Sequence, residues 1–343
     1  MNFGPRLVAF VGVLLLSAWL SVSAEVFVGN GNPAQVNVWS DTDSGDVAPE
    51  RVLAGNNTWL TIVGAVAVDA WHGELFVVPN SLQGRVAVFP LTASGDVAFD
   101  RLVDGPSTGL EGVSGLAVDP ANDELFACST GNDSIRVFPR DADGDVSPIR
   151  VISGPSTTLD YPVGVFVDLT HDEIFVTNLV TAEVLVFPRT ANGDVAPIRT
   201  LSGLSNVRGL FVSVEHDELY VVERDSNRIR VFARTASGTA TPLRTITGAS
   251  TGLSNPQGVV LTLDDELVVA NENGDSVSVF ARLADGDTPP VRVISGAATM
   301  LDGPAWIAIT MAAEGATGFV APLPLFADGF EDGGLSAWSA SVP

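Results

Sequence analysis

A segment of about 48 residues recurs six times along the 343-residue chain, and that period constrains the fold more than any other property. Each copy opens on a glutamate: Glu25, Glu74, Glu124, Glu173, Glu218 and Glu266, at spacings of 49, 50, 49, 45 and 48 residues. A copy reads Glu-Leu-Phe-Val, then Val-x-Val-Phe, then Gly-Asp-Val-x-Pro-x-Arg, then an apolar run ending Val-Asp. Each stretch is short and rich in β-branched residues, with turn residues between them. Four short strands per unit at a period of roughly 40–50 residues predict an all-β fold, a β-propeller.

Strand order within a blade follows from composition. The apolar run, such as Gly115-Leu-Ala-Val-Asp119, lacks alternation, as expected of a strand buried on both faces. It is assigned as the innermost strand, a. The glutamate-led strand is b and the strand ending on Trp39, Phe89, Phe138, Phe187, Phe232 or Phe280 is c. The fourth, d, carries Pro49, Pro148, Pro197, Pro242 and Pro290 with the aligned Arg51, Arg101, Arg150, Arg199, Arg244 and Arg292. Proline and charge suit an edge strand, so d is outermost and its arginines are expected to guard that edge. The first strand is a b strand (26–28) and the last is an a strand (306–310). The ring is therefore expected to be six-bladed and closed by the C-terminal innermost strand joining the N-terminal blade.

Gly164-Val-Phe-Val-Asp168, Glu173-Ile-Phe-Val-Thr-Asn178 and Arg228-Ile-Arg-Val-Phe232 resemble the repeats of NHL-type and Tyr-Val-Thr-Asn-type propellers over about residues 25–312. That resemblance implies the fold. It leaves function open, because such families include enzymes, adhesins and binding scaffolds.

Residues 1–24 read as a secretory signal peptide: Arg6, the apolar run 7–16, and a small-residue site at Val22-Ser-Ala24. The run is too short to span a bilayer, so no transmembrane segment is expected after cleavage. Secretion or periplasmic export follows, with cell-surface retention as a variant. Residues 313–343 form a tail outside the repeat. Its Asp328-Gly-Phe-Glu…Trp338 pattern is similar to one that ends many exported bacterial proteins.

The seventeen basic residues are all arginines and face 41 acidic ones, a net charge of −24. A nucleic-acid partner is excluded, since that role needs a basic surface. A protein partner or a small-molecule or saccharide ligand is expected, on a monomer. The single cysteine, Cys128, lies in a b strand and reads as an inert core residue.

No catalytic set emerges. His72, His171 and His216 occupy equivalent places just before strand b, spread around the ring, where they serve turns. Asp141, Asp143 and Asp145 alternate around a glycine in a c–d turn, as in part of a calcium loop, so a divalent cation such as calcium is the one cofactor considered. The alternative is a hairpin using Asp and Gly for its own backbone.

Ligand-binding candidates fall on the face carrying the b–c and d–a loops. Strand b ends on Asn30, Asn80, Asn178 and Asn271, which either form a ring around a ligand or cap their own turns. Glu223 stands in that column in the fifth blade. Before the first glycine of strand a the residues are Val63, Ser114, Val163, Arg208 and Gln257, with Ala305 and Trp306 in the last copy. Arg208, Glu223, Gln257 and Trp306 thus define a candidate pocket in one sector of the channel mouth. The alternative is an Arg208–Glu223 ion pair on a solvated rim. The leading functional reading is a secreted, non-catalytic binding or scaffold propeller. A metal-dependent lactonase-like hydrolase is the second, with Glu223, Asn178 and Asn271 imitating its metal ligands. A cell-surface structural or adhesive protein is the third.

Overall fold

The computed structural model describes residues 24–310; the segments 1–23 and 311–343, which hold the expected signal and tail, lie outside the described residues. Six four-stranded antiparallel sheets stand around a central channel, each adjoining the next through its innermost strand. Five are consecutive in the chain. Blade 2 runs from Ala65–Asp69 to Arg101–Val103, blade 3 from Val113–Asp119 to Arg150–Ile152, and blade 4 from Pro162–Asp168 to Arg199–Leu201. Blade 5 runs from Val207–Ser213 to Arg244–Thr247 and blade 6 from Pro256–Leu261 to Arg292–Ser295.

Blade 1 is shared by the two ends of the described chain. Its outer strands are Glu25–Asn30, Gln35–Ser40 and Arg51–Leu53, and Pro304–Ile309 supplies the innermost. Val26 lies opposite Ile309 and Val28 opposite Ile307. The Glu25 amide donates to Thr310 Oγ1 at 2.8 Å, and the Thr310 amide donates to the Glu25 carbonyl at 2.9 Å. The closed ring expected from the repeat is the ring observed.

The core lies between blades. The aromatic ending strand c (Trp39, Phe89, Phe138, Phe187, Phe232, Phe280) is fully buried, as are Phe27, Phe76, Phe126, Phe175 and Tyr220 of strand b. Burying one such ring contributes about 1.5–3 kcal/mol. This repeated layer makes each blade depend on its neighbours.

Strand d is the outer edge strand of every blade, and its arginines also do more than mark that edge. Each reaches across its blade to the glutamate that opens strand b. Arg244 donates from both terminal nitrogens to Glu218 at 2.8 Å, and Arg199 to Glu173 at 2.5 and 2.6 Å. Arg51–Glu25, Arg101–Glu74, Arg150–Glu124 and Arg292–Glu266 repeat the pair. A second arginine, from the end of strand c of the next blade, ties four of these glutamates across the seam: Arg140 to Glu74, Arg189 to Glu124, Arg234 to Glu173 and Arg282 to Glu218. The two seams of blade 1 have Leu91 and Asp41 at that place and keep only the strand-d arginine's bond to the backbone carbonyl, a bond that Arg101 and Arg150 also make to Arg140 and Arg189.

Candidate functional site

Strand a of every blade lines the channel, and the wall is apolar throughout. Its sides are formed by Val66–Val68, Leu116–Val118, Val165–Val167, Leu210, Phe211, Val259, Val260 and Ile307–Ile309. Among the described residues no titratable side chain stands on that wall. Glycines set how closely the strands approach at the mouth. A Cβ on Gly115 would lie 2.5 Å from the Val163 carbonyl oxygen, and one on Gly209 2.5 Å from that of Gln257. Such contacts are too short to exist, so these positions admit only glycine. Trp306 stands in the same slot in blade 1, next to Ile307. Its ring lines a small cavity at the mouth, beside Gly115, Gly164, Gly209 and Gly258, and packs towards blades 2 and 3. Strand register puts Ala65 in this slot in blade 2, so Gly64 rather than Val63 is the counterpart of Arg208.

The asparagine column closes loops instead of surrounding a ligand. Asn178 Oδ1 accepts from the Asp160 amide at 2.7 Å, and its Nδ2 donates to the Thr158 carbonyl at 2.9 Å. Asn30 accepts from the Asp302 amide and donates to the Pro33 carbonyl; Asn271 accepts from the Ser254 amide and donates to Ser276 and Ser278. All three are fully buried. Asn80 is half-buried and accepts from the Leu82 amide while donating to Thr61 Oγ1.

Glu223 performs the same closing role and leaves the expected pocket. It is fully buried, accepts from the Ser205 amide at 2.6 Å, and is held by Arg228 and by Arg230 at 2.6 Å. Burial raises its pKa, but the two arginine hydrogen bonds outweigh this and hold it below the usual carboxylate range. It forms no ion pair with Arg208. Gln257 is also engaged: its Nε2 donates to Glu272, which accepts from Arg224 at 2.8 Å. Of the four expected pocket residues, only Trp306 and Arg208 remain open at the mouth.

Arg208 is the exception among the described arginines. Its guanidinium has no hydrogen bond and no ion pair, and its Nε is buried without a partner. Burial and the nearby Arg224 push its pKa down, with Glu272, Asp225 and Tyr161 acting the other way. Tyr161, on the same face, lines a groove with Ser81, Leu82, Glu111, Ser114 and Thr130. Sequence reasoning missed this groove. Its trace was Tyr161 itself, standing where four of the equivalent loops have Gly112, Asn206, Asn255 and Gly303 and the fifth has Ile62.

The calcium-loop candidates have another task. Asp143 Oδ1 accepts from the Leu102 amide at 3.0 Å, and Asp145 accepts from the Ser107 amide at 2.6 Å and its hydroxyl at 3.1 Å. They clamp blade 3 onto the preceding d–a loop. Asp46, Asp96, Asp194 and Asp287 do the same elsewhere. Asp141 takes no part in this clamp. Among the described residues no group of three or more His, Cys, Asp or Glu is placed to hold a metal ion. The histidines sit in turns: His72 and His171 bond to Asp69 and Asp168 at 2.7 and 2.8 Å, and His216 to Asp265 at 2.6 Å. Cys128 is fully buried, and burial pushes its thiol pKa up.

A family model described as "Lactonase, 7-bladed beta-propeller" matches residues 66–288. No curated protein matches the chain. Among solved structures, the nidogen/laminin complex aligns at 14% identity and a TM-score of 0.63, covering 84% of this chain and 98% of that one. The WD40 β-propeller domain of Doa1 aligns at 15% identity and a TM-score of 0.52, covering 78% of each. At these identities the two structures speak for the propeller fold alone.

Proposed function

The chain belongs to the lactonase β-propeller family, and from that premise we propose that this six-bladed member is a binding module without hydrolytic activity. The observation that carries the reading is the apolar channel wall. Hydrolysis of a lactone needs an activated water and a group to stabilise the developing oxyanion. Here the carboxylates and imidazoles nearest the strand-a ends are bonded into turns. Glu223, the one carboxylate in the asparagine column, is neutralised by two arginines. The loop face carries Arg208 and the exposed Tyr161, the latter in a groove with Ser81, Glu111 and Ser114, which suits recognition. Export, expected from residues 1–24, would place that face outside the cytoplasm, free or held at the cell surface.

A lactonase-like hydrolase is the second reading, favoured by the family match. Incubating the purified protein with gluconolactone, with and without added calcium, zinc or magnesium, separates the two. The binding reading expects ring opening at the rate of buffer alone under every condition. Saturable, metal-dependent opening would overturn it.

A further inference from the structure

The wiring between blades is complete at four seams and reversed in charge at one. At the four, an arginine from the end of strand c reaches the glutamate of the preceding blade and an aspartate in the a–b turn of its own. Arg140 joins Glu74 to Asp123, Arg189 joins Glu124 to Asp172, Arg234 joins Glu173 to Asp217, and Arg282 joins Glu218 to Asp265. At the seam between blades 1 and 2 the equivalent residue is Leu91. At the seam between blades 6 and 1 it is Asp41, a carboxylate where the others have a guanidinium. Asp41 is held beside Glu266, because Arg292 Nη2 donates to the Asp41 carbonyl at 2.8 Å and to Glu266 Oε2 at 2.5 Å.

This place is open to a cation. The Glu266 side chain is 24% exposed, against 8–16% for the four glutamates that have the second arginine. Asp41 Oδ1 is buried without a hydrogen-bond partner. Burial and the neighbouring Asp264 and Glu266 push the Asp41 pKa up, with Arg292 acting against them. Two exposed leucines stand alongside. Leu263-Asp264-Asp265-Glu266 is one continuous stretch, and Leu283 follows Arg282, whose guanidinium lies 3.3 Å from Asp265. Leu263 is 57% exposed and Leu283 64%. Where blade 6 has Leu283, the other blades have Thr42, Thr92, Asp141, Thr190 and Thr235. The segment 311–343, which follows the last strand, carries neither arginine nor lysine. Among the described residues no group of three or more metal-ligating side chains is placed to hold a metal ion here.

We propose that the seam of blades 6 and 1 docks a segment of a partner protein that carries an arginine between apolar residues, with the guanidinium between Asp41 and Glu266 and the apolar side chains on Leu263 and Leu283. The four internal arginines are the template for that fit, and a guanidinium fork suits carboxylates better than an ammonium does. The excess of 41 acidic residues over 17 arginines steers a basic segment towards the molecule. This surface lies on the a–b turn face, away from the loop face and the channel mouth, so it goes beyond the binding reading given above.

The test is a fluorescence-anisotropy titration of the full chain at low salt with a labelled Ser-Leu-Arg-Leu-Ser peptide. Two counterparts replace the arginine by glutamine or both leucines by serine. The arginine peptide should bind with a Kd below about 1 mM, at least about ten-fold more tightly than the glutamine peptide, and more weakly as salt rises. The serine-flanked peptide should bind about three-fold or more less tightly. Asp41→Arg, which supplies the guanidinium from within, should abolish binding and raise the melting temperature by completing the Glu266 pair. Asp41→Asn, which removes a carboxylate without filling the place, should weaken binding about ten-fold. No binding of the arginine peptide, equal binding of the glutamine or serine-flanked peptide, or binding unchanged in either Asp41 variant would each overturn the proposal. So would an Asp41→Arg melting temperature at or below the parent's. Lactone turnover would remove the non-catalytic reading and leave this site untouched.

Discussion

Glu218 carries the strongest test at the scale of single residues. It accepts from Arg244 and from the Tyr220 hydroxyl at 2.6 Å, with Arg282 reaching it from the next blade. Burial works to raise its pKa, yet these partners bring it down from 4.5 to about 2. Tyr220 is shifted the opposite way, upward, by burial and by donating to Glu218. A carboxylate with a depressed folded pKa contributes stability that is fully present above its unfolded value and lost as pH falls through its folded one. The window for Glu218 therefore runs from about pH 4.5 down to about pH 2. Glu74, Glu173 and Glu223 are shifted in the same direction and add to the slope. Urea midpoints measured from pH 5 to pH 2.5 should fall steeply for the parent and less steeply for Glu218→Gln, which is already weaker at pH 5 by about 1–3 kcal/mol. Parallel curves would mean that the seam pairs do not govern acid stability.

The strand is the next scale, and the glycine of strand a its limiting feature. Gly209→Ala would drive a methyl into the Gln257 carbonyl of the neighbouring blade. Backbone on both sides cannot yield easily, so a loss of about 1–3 kcal/mol is expected on thermal unfolding. Gly286→Ala, with open space around the added methyl but φ at +66°, should cost about 1–2 kcal/mol, from backbone strain alone. Equal mutants with a relaxed ring would contradict the close approach. Strand order, the innermost position of the apolar run and the shared blade were all legible, because they depend on which residues recur in one blade. The role of the Gly-Asp turn was not, because its partner lies in another blade. Asp145 serves Ser107, 38 residues away in sequence. A hint existed in blade 5, where Gly238-Thr239 replaces Gly-Asp. There the preceding loop also lacks the Pro-Ser-Thr turn that the aspartate would clamp, so the repeat shortens to 45 residues.

At the scale of the whole molecule, the same limit explains which site residues could be read. A departure from the repeat signals that a position is special, but not which neighbour absorbs it. Glu223 departs from asparagine and is answered by Arg228, directly opposite it on strand c, and by Arg230 two residues further along, so nothing is left for a ligand. Gln257 departs and is answered by Glu272. Arg208 departs and makes no hydrogen bond or ion pair, with Glu272 and Asp225 acting on its charge from further off, a distinction that only the assembled ring provides. Trp306 departs from glycine and turns into the seam towards blades 2 and 3. Six blades are thus wired to one another by glutamate, arginine and aspartate, and the ring is closed by one strand pair from the two ends of the described chain. Amide hydrogen exchange reads that closure directly. Val26–Val28 and Ile307–Ile309 should exchange as slowly as the inner strands of blades 2 to 6. Fast exchange confined to that pair would contradict the closed ring.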